Sequence, residues 1–393
     1  MSAYQEPPHI RTRGLWSLVV SCLLCAGAFN LAVMAQEKPT VSSTDVVVFK
    51  NGDRLTGTVM RGVGDTVVFK SDVVGEVTVP IDKIKELRSN GSFVVFKKNE
   101  KITRTSKKPG NITFSDDTIT VVPPGGAPES VPVKDLAFVV DKPTYNKEVT
   151  GNPGVWYGWK GSIGGGASIV QSTSTGRTYT ADITLVRSIP TATYLPPRTR
   201  TIFNLTEVYG KLTTPVIPQT TPPSPDDVAK VNILDTNLER NKYFTRHMYT
   251  LAGLSYGHNY SEGLNFQQIY GVGLGRTVVR DSVQLLDLSV DVHYEMQSFH
   301  PPTPNNNLVG STFAEAYRRT LPYKILFNQS ATYIQAWNDL HAYSAIGTVG
   351  LTMPVYKRFS LSFNVRNDYL NNPAFGYKKN SFEFLTEVTY RLP

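Results

Sequence analysis

The chain has 393 residues, of which 40% are hydrophobic, 11% are aromatic and only 18% are charged, with a formal net charge of +8. The charged fraction lies below the roughly 25% of a typical soluble domain, and a chain with 20 tyrosines and few charges suits a membrane β-barrel with aromatic girdles. The surplus positive charge forms no tail or stripe. This excludes nucleic acid as a partner, because its recognition needs clustered basic residues.

Residues 1–35 are predicted to be a secretory signal peptide. Arg11 and Arg13 form a short basic region, an apolar run covers residues 15–33, and Val33-Met34-Ala35 offers small or aliphatic residues for cleavage. An N-terminal membrane anchor is the alternative, since the apolar run is nearly long enough to cross a bilayer. Both cysteines of the chain lie in this segment, so the mature protein is expected to lack disulfides, cysteine metal sites and thiol nucleophiles.

Residues 36–141 are predicted to form a small tandem β module. Residues 46–53 are a β-rich run that ends in an Asn-Gly turn, which is a strong hairpin signal. Later segments repeat earlier ones at an offset of about 45 to 52 residues, which indicates two short β units in tandem. In these repeats, residues 94–100 correspond to 47–53, residues 111–114 to 67–69, and residues 131–136 to 79–84.

The opening of the first unit resembles SH3-like or Sm-like barrels over residues 44–90, through a strand, Asn51-Gly52-Asp53 and a returning strand with small residues. Sm-like folds often bind RNA, but predicted export and balanced charge argue against RNA here. We therefore expect a periplasmic accessory module that contacts protein or cell-wall partners, with a spacer that binds no ligand as the alternative. Residues 142–155 contain Pro and Gly without periodicity and are predicted to be a linker.

Residues 156–393 are predicted to form an antiparallel up-and-down transmembrane β-barrel of about twelve strands, which makes the whole chain all-β. Beyond the signal there is no run of 18 apolar residues, so a membrane-embedded chain has to cross as a closed barrel. Most segments are long enough to cross a bilayer at a tilt. Their approximate bounds are 157–170, 176–187, 200–212, 228–240, 242–257, 264–279, 283–297, 310–319, 322–337, 341–353, 357–370 and 379–393.

The segment 286–297 shows the alternation most clearly. Successive side chains of a strand point to opposite faces, and here one face is apolar and the other is polar. We expect Leu288, Val290, Val292 and Tyr294 to face lipid. The candidate lumen-lining polar residues are Asp182, Asp287, Asp291, His293 and Glu295.

The acidic face and a row of three glycines each allow two interpretations. The acidic face could attract cations or form ion pairs across the barrel with residues such as Arg276 or Arg366, or it could simply fill a water-facing surface. Three glycines, Gly271, Gly273 and Gly275, share one face of a strand. They could thin the wall beside a bulky neighbour or mark a kink.

The connections between segments predict the orientation of the barrel. With the N-terminal module in the periplasm, an even strand number also places the C-terminus there. Turns on the periplasmic side should then be short and outer loops long, as in known transmembrane barrels. Residues 213–227, 298–309 and 371–378 fit as outer loops, whereas the long gap 188–199 and the short gap 338–340 break the pattern.

Several stretches of the second half carry a resemblance to a known family. They are Asn237-Leu238-Glu239-Arg240-Asn241-Lys242-Tyr243-Phe244, Glu262-Gly263-Leu264, Tyr270-Gly271-Val272-Gly273-Leu274-Gly275, Val349-Gly350-Leu351-Thr352-Met353-Pro354, Phe359-Ser360-Leu361 and Asp368-Tyr369-Leu370-Asn371-Asn372-Pro373. Through them, roughly residues 156–393 resemble the salt-induced outer-membrane protein family, a β-barrel family of unassigned function. The resemblance implies location in the outer membrane of a Gram-negative-type bacterium, and it brings no catalytic residues.

The sequence therefore predicts an outer-membrane barrel with a structural or small-solute permeability role, in contact with outer-membrane lipids. We expect no enzymatic activity, no cofactor and no metal. One alternative is a barrel-embedded lipid hydrolase with His293 or His247 as its base and Ser289 as its nucleophile. Residues four apart in a strand lie about 13 Å apart, which is too far for direct proton transfer between Ser289 and His293. A secreted soluble β protein is the other alternative.

Overall fold

The computed structural model describes residues 45–98, 100, 102, 107–151, 153–171, 175–214 and 227–392. The predicted signal peptide and most of the predicted loop 213–227 lie outside these residues. The described chain is all-β, with short helical segments only, and Asp45–Pro393 forms one compact unit. Among the described residues, no helix has both the length and the apolar character needed to span a membrane.

The N-terminal part folds as a nine-stranded antiparallel sheet in the order β4-β3-β2-β1-β5-β6-β7-β8, with β9 paired to β2 and β5. Alternate side chains from these strands meet in one apolar core that includes Val47, Phe69, Leu87 and Val131. Burying each such side chain contributes roughly 1.5–3 kcal/mol. The strands are β1 (Asp45–Phe49), β2 (Arg54–Val63), β3 (Thr66–Ser71), β4 (Gly75–Pro80), β5 (Ile84–Lys97), β6 (Gly110–Ser115), β7 (Thr118–Val122), β8 (Glu129–Pro132) and β9 (Leu136–Asp141).

Two parts of the sheet share one pattern of strand pairing. Thr66 pairs with Pro80 in the first unit and Thr118 pairs with Pro132 in the second. Each proline is followed by a three-residue 3₁₀ helix, Ile81–Lys83 or Val133–Asp135. In each unit, one strand pairs with the strand that precedes the 3₁₀ helix: β3 pairs with β4, and β7 pairs with β8. By this criterion residues 67–69 of β3 correspond to β7, and not to residues 111–114. The likeness to SH3-like or Sm-like barrels stays a prediction.

The C-terminal part is a closed antiparallel barrel of twelve strands, which confirms the predicted fold class. Closure comes from pairing of the first strand with the last, as in Ile163 with Tyr390. The strands are β10 (Trp159–Gln171), β11 (Thr175–Ile189), β12 (Thr199–Thr214), β13 (Asp227–Tyr243), β14 (Met248–Asn259), β15 (Leu264–Arg280), β16 (Gln284–Phe299), β17 (Asn306–Thr320), β18 (Leu326–Ala336), β19 (Tyr343–Tyr356), β20 (Phe359–Leu370) and β21 (Asn380–Arg391).

Residues 142–155, predicted to be a linker because they contain Pro and Gly without periodicity, begin with helical turns. A short helix, α1 (Lys142–Thr144), is capped by Asp141, whose side chain accepts a hydrogen bond from the Thr144 N–H. A π-helical turn, Tyr145–Thr150, follows. Tyr145 and Val149 are both buried against the sheet and against Leu195 of the β11–β12 connection. The prediction missed this helix because tertiary packing, and not local periodicity, stabilises it.

The long gap at residues 188–199 also has a structural reason. The β11–β12 connection packs Tyr194 and Leu195 against the N-terminal sheet, and the guanidinium of Arg61 lies 5.5 Å from the centre of the Tyr194 ring. At the same end of the barrel, Arg246 lies 5.4 Å from the ring centre of Phe138. We call this end of the barrel the module end and the opposite end the far end.

Glu148 joins the helical turn to the β11–β12 connection. Its carboxylate accepts hydrogen bonds from the Thr191 N–H at 2.8 Å, the Thr191 hydroxyl at 2.6 Å and the Tyr157 hydroxyl at 2.7 Å. Burial by itself raises the pKa of Glu148, but these hydrogen bonds and the charge of Lys147 outweigh burial and hold the pKa below its ordinary value. The ionised form is therefore the form that this junction stabilises.

Acidification is expected to loosen the junction. A carboxyl with a lowered folded-state pKa contributes stability above its ordinary pKa of about 4.5, and that contribution is lost as pH falls through the folded pKa. Protease cleavage near residue 150 should therefore accelerate as pH falls from 7 to below 4. Glu148→Gln should already be cleaved faster at pH 7 and should respond less to pH. A wild-type rate that does not change with pH would contradict this role of Glu148.

Candidate functional site

The interior of the barrel is the candidate site, and β16 shows which side chains line it. Leu288, Val290, Val292 and Tyr294 have 40–45% of their surface exposed, whereas Asp287, His293 and Glu295 have 2–7%. Because neighbouring side chains point to opposite faces, the exposed apolar face is the exterior and the buried polar face is the interior. On this strand the apolar side chains therefore face outward and the polar side chains face the interior.

A buried ion pair crosses the interior at the module end. Arg200 Nη1 of β12 lies 2.6 Å from Asp287 Oδ2 of β16, and both side chains are only 9% exposed. The Thr277 hydroxyl donates to Asp287 Oδ1 at 2.5 Å. The guanidinium also lies 5.4 Å from the ring centre of Tyr249. Asp287 is therefore fully engaged in a structural contact.

Gly275 of β15 makes room for this cluster, and two other glycines of the strand lie close to β16. A Cβ atom on Gly275 would lie 2.2–2.5 Å from ring and hydroxyl atoms of Tyr249, and one on Gly273 would lie 2.1 Å from the Val290 carbonyl oxygen. A Cβ on Gly271 would lie 3.1–3.3 Å from the carboxyl group of Asp291. Of the two interpretations that the sequence left open, the bulky neighbour is therefore the one seen at Gly275.

Two carboxyl groups face each other halfway along the barrel. Asp182 on β11 accepts a hydrogen bond from the Thr206 hydroxyl at 3.3 Å, and Glu387 on β21 accepts one from Asn364 at 3.4 Å. Gly164 lies between them, since a Cβ there would be 3.4 Å from Glu387 Oε2 and 3.6 Å from Asp182 Cβ. Among the described residues, neither carboxyl group forms an ion pair, so no cationic side chain there compensates their negative charge when they are ionised.

A third cluster lies toward the far end. Arg366 of β20 reaches across the interior to Asp235 of β13 and also pairs with Asp368 on its own strand at 3.1 Å. Glu262, in the 3₁₀ turn Tyr260–Glu262 between β14 and β15, and Glu383 of β21 are buried near this guanidinium. Four carboxyl groups therefore surround one arginine.

His293 is placed among polar groups of β16 and β17. Its Nδ1 lies 3.2 Å from Asp291 Oδ1 and 3.0 Å from the Thr312 hydroxyl, and its Nε2 lies 3.8 Å from Glu295 Oε2. Ser289, which the hydrolase alternative requires, is not among the hydrogen-bond partners of His293 in the described part of the chain. Glu295 in turn accepts hydrogen bonds from two glutamines, Gln267 and Gln297.

The structure separates the predicted candidates into three places. Asp287 lies at the module end, Asp182 lies halfway along, and Asp291, His293 and Glu295 lie together on β16. Of the two arginines suggested as partners, Arg366 joins an interior ion pair, whereas Arg276 pairs in register with Leu288 and shares its exterior face. Sequence reasoning did not select Arg200, Asp235, Glu262, Glu383 or Glu387. Alternation on β21 could have indicated Glu383 and Glu387, which oppose Phe382 and Phe384.

Within the described ranges, no three histidine, cysteine, aspartate or glutamate side chains converge closely enough to hold a metal ion.

A family model described as a protein of unknown function, DUF481, matches residues 219–392. The match covers less than half of the chain and spans the barrel from β13 to β21. It agrees with the sequence resemblance in giving a family without an assigned function. No match was found among the curated proteins.

Solved structures similar to this chain include a translocator domain, a porin and a channel. The translocator domain of the autotransporter NalP from Neisseria meningitidis has 10% identity, a TM-score of 0.32, and covers 60% of this chain and 89% of its own. A NanC porin has 11% identity, a TM-score of 0.32, and covers 59% and 96%. The CymD monoaromatic hydrocarbon channel has 8% identity, a TM-score of 0.25, and covers 88% and 86%. Such low TM-scores do not support a fold assignment. The assignment of a closed barrel depends on the strand pairing of this chain.

Proposed function

We propose that the barrel spans the outer membrane of a Gram-negative-type bacterium. The observation that carries this proposal is the apolar exterior, because soluble monomers rarely expose apolar patches beyond a few hundred Å². Backbone groups in lipid must be satisfied internally, and a closed barrel does this. Large apolar side chains with more than a third of their surface exposed occur all around the barrel, as at Ile163, Tyr179, Leu238, Leu254, Val272, Val292, Phe313, Tyr333, Val349, Val365 and Phe384.

The proposed role is small-solute permeability or structural support in the cell envelope, without enzymatic activity. The polar, charged interior supports a solute path, while the cross-barrel contacts of Arg200 and Arg366 narrow it. The N-terminal sheet and the C-terminus would lie in the periplasm after removal of residues 1–35. The sheet, docked on the module end, would contact envelope partners there, and the exterior would contact outer-membrane lipids.

Cell fractionation tests the membrane proposal. The full-length protein should be recovered with outer membranes and should migrate differently on a gel when it is not heated, because folded barrels keep their shape in detergent. Recovery as a soluble periplasmic monomer would refute the proposal.

Permeability is tested by conductance in planar bilayers. Replacing the facing carboxyl groups with amides, in Asp182→Asn with Glu387→Gln, should lower the K⁺ over Cl⁻ preference by at least about fivefold. The reason is that the interaction energy between one carboxylate charge and a cation 4 Å away is about 1 kcal/mol even in water. Reversal potentials in a KCl gradient measure the preference. Glu315→Gln is the matched control, because Glu315 pairs in register with Leu288 on the exterior face. A preference unchanged by the double substitution would contradict a path past these groups.

A further inference from the structure

The cluster around Arg366 has more carboxylate oxygens than the surrounding groups can satisfy. Asp235 and Asp368 both form ion pairs with the guanidinium group of Arg366. Within the described residues, both carboxyl oxygens of Glu383 and Oε1 of Glu262 have no hydrogen-bond partner, and the two residues are only 9% and 2% exposed. Buried polar atoms are normally paired, and unpaired ones call for a ligand, an ion or a water.

The turn that carries Glu262 is held in place. The Ala374 N–H of the β20–β21 loop donates to the Glu262 carbonyl oxygen at 3.0 Å. Leu264, Phe299, Leu370 and Ala374 form a small apolar cluster beside it. These contacts fix the position of the turn, so the Glu262 carboxyl group is already in place before a ligand binds.

The electrostatics of the cluster favour a bound cation. Burial raises the pKa of Glu262 to about 9, and the charges of Asp368, Asp235 and Glu383 add to this effect against the opposing charge of Arg366. Four carboxyl groups beside one guanidinium give a net charge of about −3 when all are ionised. A ligand with positive charge would relieve this repulsion.

We propose that this cluster binds an organic ammonium group, a protonated primary amine, at the far end of the barrel. The inference rests on the solute path proposed above and names its substrate class. Hard metal ions need several oxygens converging at about 2.0–2.6 Å, and no such group of acidic side chains occurs in the described part of the chain. An ammonium group carries three hydrogen-bond donors, which suits the separate unpaired oxygens of Glu262 and Glu383.

Calorimetric titration of the purified full-length protein in detergent at pH 9 tests the proposal, with 1,4-diaminobutane as the probe. This pH lies near the raised pKa of Glu262, about 9, so its carboxyl group can ionise on binding, while the amine stays largely protonated, since alkylammonium pKa values lie at about 10.4. We expect saturable binding by the wild type. Glu383→Gln and Glu262→Gln should each weaken binding at least tenfold, because each removes one charged acceptor.

The controls distinguish binding that depends on charge from nonspecific binding. Glu315→Gln, on the exterior, should leave the affinity unchanged, and the uncharged N,N′-diacetyl derivative of the probe should not bind. Absence of wild-type binding, equal binding by the glutamine variants, or binding of Mg²⁺ in place of the amine would each overturn the proposal. Conductance without amine binding would overturn this inference and leave the permeability role intact. Amine binding without conductance would support the site and refute permeability.

Discussion

Arg200→Met is expected to destabilise the barrel by about 3–5 kcal/mol, because removing one partner of a buried ion pair leaves an uncompensated charge. Asp287 would stay 7% exposed with only the Thr277 hydroxyl as its donor. Tyr249, which lies 5.4 Å from the guanidinium, would also lose its cation–π contact. Urea unfolding of the protein inserted in lipid vesicles measures the change, with the gel shift of the unheated protein as a second readout.

The double variant Arg200→Met with Asp287→Leu is the matched control. Replacing both partners with apolar groups of similar size is often neutral or stabilising, so the double variant should recover most of the loss. A double variant as unstable as Arg200→Met would show that the arginine acts through packing against Tyr249 and not through the charge of Asp287. An unaffected single variant would contradict a buried pair at this position.

Tyr145→Ala is expected to release the N-terminal sheet from the barrel and to cost about 3 kcal/mol or more, as for other buried aromatic side chains. Tyr145 is 2% exposed and packs with Val149, Phe96 and Leu195, so it contacts the sheet and the β11–β12 connection together. Limited proteolysis measures the release through the rate of cleavage between residues 142 and 155. We expect that rate to rise while the heat-dependent gel shift of the barrel is retained.

Asn146→Ala serves as the control for this substitution, because Asn146 lies in the same turn with an exposed side chain. It should leave the cleavage rate within about twofold of wild type, since exposed substitutions usually change stability by less than about 0.5 kcal/mol. Equal protection of wild type and Tyr145→Ala would mean that the sheet is held by other contacts, such as Arg246 against Phe138.

The sequence by itself determined which face is apolar on the barrel strands that alternate cleanly, and segment length together with the turn pattern predicted an antiparallel barrel of about twelve strands. This was predictable because side-chain direction in a strand alternates with every residue and depends only on local position. On β16 the assignment of Leu288 and Val292 to the exterior and Asp287 and Glu295 to the interior followed from that rule alone.

Only the tertiary structure decided which interior groups meet. Arg366 and Asp235 lie 131 residues apart, and Arg200 and Asp287 lie 87 apart, so strand tilt and barrel closure set these contacts. The same holds for Glu262, which lies in a turn where no alternation applies, and for the helical turn at Tyr145, whose folding depends on the surface it packs against. Alternation assigns side chains to a face, but only closure of the barrel brings residues from distant strands into contact.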